Sequence, residues 1–197
     1  MAALLADPRL REISSCRDGG FVPSSGPPRA PVMLVGEAPG EEEARQAKPF
    51  CGPSGAFLDE MLALAGIERR LCYAANVVPF RPPGNRTPFP SEIGACMPRL
   101  ETEISFVSPV LIIALGATAW KALGGPRSVT AMHGQRTQYR QGAGANILVP
   151  VTRTAPAEFS CSLMCSYHPA AALRDRVRDR EMREDFTELR NILERKK

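Results

Sequence analysis

Val110-Leu111-Ile112-Ile113-Ala114-Leu115-Gly116 is the stretch on which the fold turns. No polar residue interrupts the run before Gly116. Such a segment reads as a strand covered on both faces, the habit of a parallel sheet. Ala117 to Leu123 then reads as a short helix. Upstream, Val32-Met33-Leu34-Val35 is a similar run that ends in Gly36, and Leu71 to Val78 is another. Downstream, Leu163 to Tyr167 reads as a strand, and Ile147 to Val151 as either a strand or a plain extended segment.

Helical signals fall between these runs. Pro53 suits a first helical position, Leu58, Met61, Leu62 and Ala65 follow at helical spacing, and Gly66 supplies a stop. Ser91 is a good N-cap for a helix to about Phe106, with Glu92 in its first turn. From Asp179 to Lys197 the chain is charged, with Met182, Phe186, Leu189 and Leu193 on one stripe. Residues 17–31 and 124–145 read as irregular, and Pro79 to Pro90 holds five prolines, a stiffened loop.

Strands alternating with helices predict an α/β fold: a three-layer α/β/α sandwich around a central four-stranded, mainly parallel sheet. The length of 197 residues suits one domain, 1–197, in which 1–31 is an N-terminal extension and loop. Ligands of such sheets sit beyond the carboxyl ends of the strands. The loops that begin at Gly36, Asn76 and His168 are therefore expected to converge.

Composition narrows the classes. A net charge of +4 with 44% apolar residues suits a soluble protein that touches phosphates. No run approaches the roughly 18 apolar residues of a membrane span. Ala2 to Ala6 is too short for a signal-peptide core, so the expectation is a cytoplasmic protein with no membrane partner. The cysteines stand at 16, 51, 72, 96, 161 and 165, without C-x-x-C spacing. Reduced, buried thiols and no metal site are expected.

Four blocks carry a resemblance. They are Gly36-Glu37-Ala38-Pro39-Gly40 through Glu43 to Phe50-Cys51-Gly52-Pro53-Ser54-Gly55; Asn76 to Pro88, NVVPFRPPGNRTP; Pro109 to Leu123; and Tyr167-His168-Pro169-Ala170-Ala171-Ala172-Leu173-Arg174. In order and spacing they resemble the uracil-DNA glycosylases of the iron–sulfur type, family 4. The resemblance implies a glycosylase-like sandwich that flips uracil out of DNA and hydrolyses its bond to the sugar, as a monofunctional enzyme. Uracil-containing DNA is the implied partner, and a monomer the expected state.

It also implies roles. Phe50 would stack on the base and Asn76 read its edge. Gly36, Glu37 and Ala38 would line the uracil site. His168 would donate to uracil O2 as negative charge builds there, and Glu37 would position or activate the water, with Glu43 the runner-up. Arg81, Pro82, Pro83, Asn85 and Arg86 would meet the DNA backbone. Leu173 and Arg174 would fill the gap left by the flipped base.

Several positions depart from the family. Its cluster needs four cysteines, but Cys16 is followed by Arg17-Asp18-Gly19 and Phe80 replaces another ligand, which leaves Cys96 as the clear match. An iron–sulfur cluster is therefore expected to be absent, with Phe80 filling the space. Ala38 stands where other uracil glycosylases carry an aspartate, and Ala44 where family 4 has an acid. Residues 84–90 hold no histidine, which disfavours covalent capture of the sugar. His133 reads as a loop or DNA-contact residue without a catalytic role. Three other readings stay open: a glycosylase for a wider set of deaminated bases, a protein that holds damaged or abasic DNA without turnover, and a small-molecule nucleotide hydrolase.

Overall fold

A computed structural model of the chain describes residues 20–140 and 160–195. Strands β1 (Val32–Gly36), β2 (Cys72–Asn76), β3 (Leu111–Leu115), β4 (Arg136–Arg140) and β5 (Ser160–Ser166) form one sheet. Its order is β2-β1-β3-β5-β4. The first four in that order are parallel, and β4 runs antiparallel to β5 at the edge. Every residue of β1 and β3 is buried. Both faces of the central strands are therefore covered, as the unbroken apolar runs require.

The helices are α1 (Glu41–Gln46), α2 (Pro53–Leu64), α3 (Pro90–Val107), α4 (Ala117–Ala122), α5 (Val129–Met132), α6 (Pro169–Ala172) and α7 (Arg176–Glu194). Helix α3 lies against β2, α4 against β1 and β3, and α5 against β5, while α2, α6 and α7 pack on one another. Met182, Phe186 and Leu189 of α7 are buried, and Leu193 is partly so. Each large side chain buried in this way contributes about 1.5–3 kcal/mol. Asp175 starts α7 by accepting from Val177 N–H at 2.9 Å.

The sheet departs from the expected four strands by one. Arg136–Arg140, in the stretch read as irregular, is a strand with only Tyr139 buried. An edge strand with one covered side and charges along it lacks the apolar run that marks a central strand. Ile147 to Val151 lies outside the described residues. Helix α3 begins one residue before its expected cap. Phe89 holds the N-cap position, and Glu92 turns back to accept its N–H at 2.7 Å. The motif loop after β1 also contains α1, whose three leading glutamates complement its N-terminus.

The chain passes from β1 outward to β2, then returns to place β3 on the other side of β1. The crevice between β1 and β3 is thus the point where the winding reverses, the favoured ligand position in an open α/β sheet.

Candidate active site

Strand register levels the carboxyl ends. Gly36 pairs with Asn76, Val35 with Ala114 and Leu115 with Ser166. The loops that leave these ends enclose a cleft of about 490 Å³, within the range of small-ligand sites. Glu37, Ala38, Glu43, Phe50, Asn76, Gly116, His168 and Arg174 all line it, together with Pro82, Asn85 and Arg86 of the Pro-rich loop.

Phe50 is buried at the cleft wall with φ +52°, a left-handed backbone seldom adopted by aromatic residues. Glu43 holds it there. One carboxylate oxygen accepts Phe50 N–H at 2.5 Å, the other Gly40 N–H at 2.6 Å. A side chain at Gly55 would collide with the Phe50 carbonyl, so the turn closes only with glycine there. Beside the ring sits Arg69, its guanidinium carbon 5.5 Å from the ring centroid. Gly36 is not itself part of the cleft lining but lies directly against two residues that are. A Cβ on it would collide with Asn76 Oδ1 and come within 2.9 Å of Phe50 Cζ. The ring of Phe50 and the amide of Asn76 therefore both crowd against the Gly36 backbone, which has no room for a side chain.

Asn76, 5% exposed, ends β2. Its carbonyl accepts from Arg99 Nη2 at 2.5 Å, and the Val77 carbonyl shares that nitrogen at 3.3 Å. Arg99 is buried in α3 and is held by Glu103 at 2.8 Å and by Ser24 at 3.3 Å. A buried guanidinium persists only when paired and hydrogen-bonded. Here it fixes the backbone beneath the amide and leaves that amide facing the cleft. Arg99 carries no mark in the sequence beyond its i, i+4 spacing from Glu103.

His168 follows β5 and caps α6. Its Nδ1 accepts Ala170 N–H at 3.2 Å. Burial pushes the imidazole from its usual value down to about 4, so the ring is neutral near pH 7. A neutral ring that accepts at Nδ1 carries its proton on Nε2. Gly116 backs the ring at φ +93°, where a Cβ would stand 3.0 Å from His168 Cβ. Two residues on, the Thr118 hydroxyl donates to Glu37 Oε2 across the β1–β3 crevice. Glu37 Oε1 has no partner among the described residues. The loop after β3 is thus a fourth contributor, unmarked in the sequence because a Gly-Ala-Thr turn carries no chemistry of its own.

A family model described as the Uracil DNA glycosylase superfamily matches residues 23–193. The chain belongs to that superfamily. It is 34% identical to the type-4 uracil-DNA glycosylase of Sulfurisphaera tokodaii, over 87% of this chain and 74% of that protein. It is 37% identical to the type-4 enzyme of Pyrobaculum aerophilum, over 84% of this chain and 79% of that protein. The type-5 uracil-DNA glycosylase of Thermus thermophilus is 37% identical over 52% of this chain and 53% of its own length.

Within this superfamily member, both arginines of the Pro-rich loop are engaged internally. Arg81 donates to Asn85 at 2.8 Å and lies 3.4 Å from Glu41. Arg86 makes a two-pronged pair with buried Glu92, each contact 2.8 Å. Arg174 reaches the cleft with no carboxylate partner among the described residues. Leu173, 49% exposed, stands beside it, while Pro83 lies outside the cleft lining. His133 lies away from the cleft, 3.0 Å from Asp185 and stacked on Tyr167 at 4.8 Å. It ties β5 to α7.

Phe80 stands where the resemblance set a cluster ligand. Its ring is buried and meets Phe21 at 5.5 Å between centroids. Residues 21 and 80 also form a β-bridge. A phenyl ring offers no donor to iron, so this side-chain set does not fit a four-thiolate cluster. Cys96 is buried in α3, and Cys16 lies outside the described residues. Among the described residues no helix is long and apolar enough to cross a membrane.

Proposed function

We propose that this chain is a uracil-DNA glycosylase: it takes an extruded uridine into the cleft, hydrolyses the bond from base to sugar and leaves an abasic site. The observation that carries the reading is that Phe50, Asn76 and a neutral His168 line one cleft, with the bare backbone of Gly36 against the first two. A ring face, an amide edge and a bare backbone suit a flat pyrimidine with alternating donors and acceptors. Phe50 stacks on the base, contributing about 1–3 kcal/mol. Asn76 donates to O4 and accepts from N3–H, an arrangement that rejects cytosine. Family membership and the named relatives support the same reading.

The chemistry follows from charge. As the C1′–N1 bond breaks, its electron pair stays on uracil, and negative charge spreads to O2. Nε2–H of His168 donates there without having to be protonated first, and burial strengthens the bond. Glu37, held by Thr118 through one oxygen, offers the other to water. The water oxygen bonds to C1′ and its proton passes to the carboxylate. Glu43 acts differently in this reading: both of its oxygens are taken by the loop, so it positions Phe50. In this reading the reaction uses no metal, and the Phe21–Phe80 pair supplies apolar packing at the position where the resemblance implied a cluster ligand. Leu173 enters the gap in the stack and Arg174 meets a phosphate.

The test is incubation with uracil-containing single- and double-stranded oligonucleotides, followed by alkaline cleavage at abasic sites. Strand breaks that depend on uracil, and a steep loss in His168→Ala and Asn76→Ala, are expected. Unchanged release in both variants overturns the site. DNA binding without release overturns the enzyme reading.

A further inference from the structure

Phe89 is a large aromatic side chain left 53% exposed at the start of α3. It stands at the end of the Pro-rich loop, and it is not left there loosely. The Arg86 guanidinium lies over its ring, 3.8 Å from the centroid. That guanidinium is held flat by both oxygens of Glu92, which also accepts the Phe89 N–H at 2.7 Å. Glu92 is 3% exposed, so the clamp is anchored in the protein interior. Phe89 and Arg86 thus form a rigid two-layer stack. Its cationic layer lines the cleft, while its aromatic layer is exposed outside the cleft lining.

The sheet order says what passes that side of the cleft. The Pro-rich loop follows β2 and the His168 loop follows β5, with β1 and β3 between them. Three strand spacings, about 14 Å, therefore separate the two walls. Leu173 projects from the second wall and Phe89 from the first. A nucleotide drawn into the cleft stays tethered to a neighbour on each side, and those neighbours must run over the two rims. An exposed ring stiffened from beneath by a cation suits a nucleobase face, and any base can stack on it.

We propose that the Phe89–Arg86 stack is a second base platform, which receives the base of a nucleotide adjacent to the extruded uridine. The proposal rests on the glycosylase reading above and adds a binding site to it. It also changes the role of Arg86, which serves as the lower layer of the stack and not as a phosphate clamp. Leu173 and Phe89 then grip the strand from both sides of the lesion, which favours substrates longer than a single nucleotide.

The experiment measures single-turnover uracil release from three oligonucleotides. One has normal bases on both sides of uracil, and the other two have an abasic analogue on the 5′ or the 3′ side. Phe89→Ala is expected to raise the half-saturating DNA concentration about tenfold on the normal substrate. It should have no effect on the substrate that lacks the contacted base, and the responding side identifies the neighbour. Phe89→Tyr should retain wild-type behaviour, and Phe89→Leu should fall with Phe89→Ala. The same loss on all three substrates, or no loss on any, overturns the platform while leaving wild-type uracil release intact. Absence of release by the wild type would instead overturn the glycosylase reading. Phe106→Ala, which alters an exposed ring at the far end of α3, serves as the control for surface apolar loss.

Discussion

Gly36→Ala is the most demanding test of the site, because it adds a single methyl group. Gly36 is the last residue of β1, so alanine suits its strand position, and the added carbon meets only the site. It would collide with Asn76 Oδ1 and lie 2.9 Å from Phe50 Cζ, where ordinary contacts begin near 3.4 Å. The ring must yield by several tenths of an ångström and the amide by more. Misplacement of a positioning group by about 1 Å costs on the order of 10²-fold in rate. A 100-fold fall in single-turnover uracil release is thus expected, about 2.7 kcal/mol at the barrier. Folding should suffer far less: a strain of about 1 kcal/mol would lower the melting temperature by about 2–4 °C. A double-mutant cycle separates collision from other causes. In an Asn76→Ala background only the closer approach to Phe50 Cζ at 2.9 Å remains, so Gly36→Ala should cost clearly less there than in the wild type. Full activity of the single variant, or equal losses in both backgrounds, would refute the contact between these residues.

His168 has a pH signature in stability. Its imidazole titrates at about 4 in the fold and near 6.5 when unfolded. The unfolded chain therefore binds the extra proton first as pH falls below about 6.5. The contribution is fully present above that value and drains away toward pH 4, about 3 kcal/mol at most and roughly 2 kcal/mol after discounting for the ring's partial exposure. Denaturation of His168→Ala should lack this component. Glu37→Gln should slow release about 100-fold with little change in DNA affinity, and Thr118→Val about tenfold, read from single-turnover rates against half-saturating DNA. A Thr118→Val effect confined to binding would contradict the pairing. Purified protein should contain no stoichiometric iron by metal analysis and visible absorbance, and an iron-bearing preparation would overturn the Phe80 argument.

Much of the chain was legible in order. The buried runs at Val32 and Leu111, the helix from Pro53 and the stripe of α7 each announce themselves, since burial on one face or both imposes a local period on the residues. The edge strand Arg136–Arg140 did not, because solvent on one side removes the selection for apolar residues. Phe50, Asn76 and His168 were singled out as candidates by the motifs around them, and one cleft gathers all three. Thr118, Arg99 and the Phe89–Arg86 stack were not, since nothing local marks a hydroxyl, a guanidinium or a ring whose partners lie elsewhere in the chain.

From its residues alone, this protein declared its layered α/β plan, its family and the loops that line the candidate site, for those properties reside in short windows of pattern and spacing. Only the folded chain decided that Glu37 is gripped by Thr118, 81 positions away, and that the two loop arginines pair with the protein's own side chains. Hydrogen bonds and packing act over a few ångströms in space, and separation along the chain says nothing about that distance until the strands are aligned.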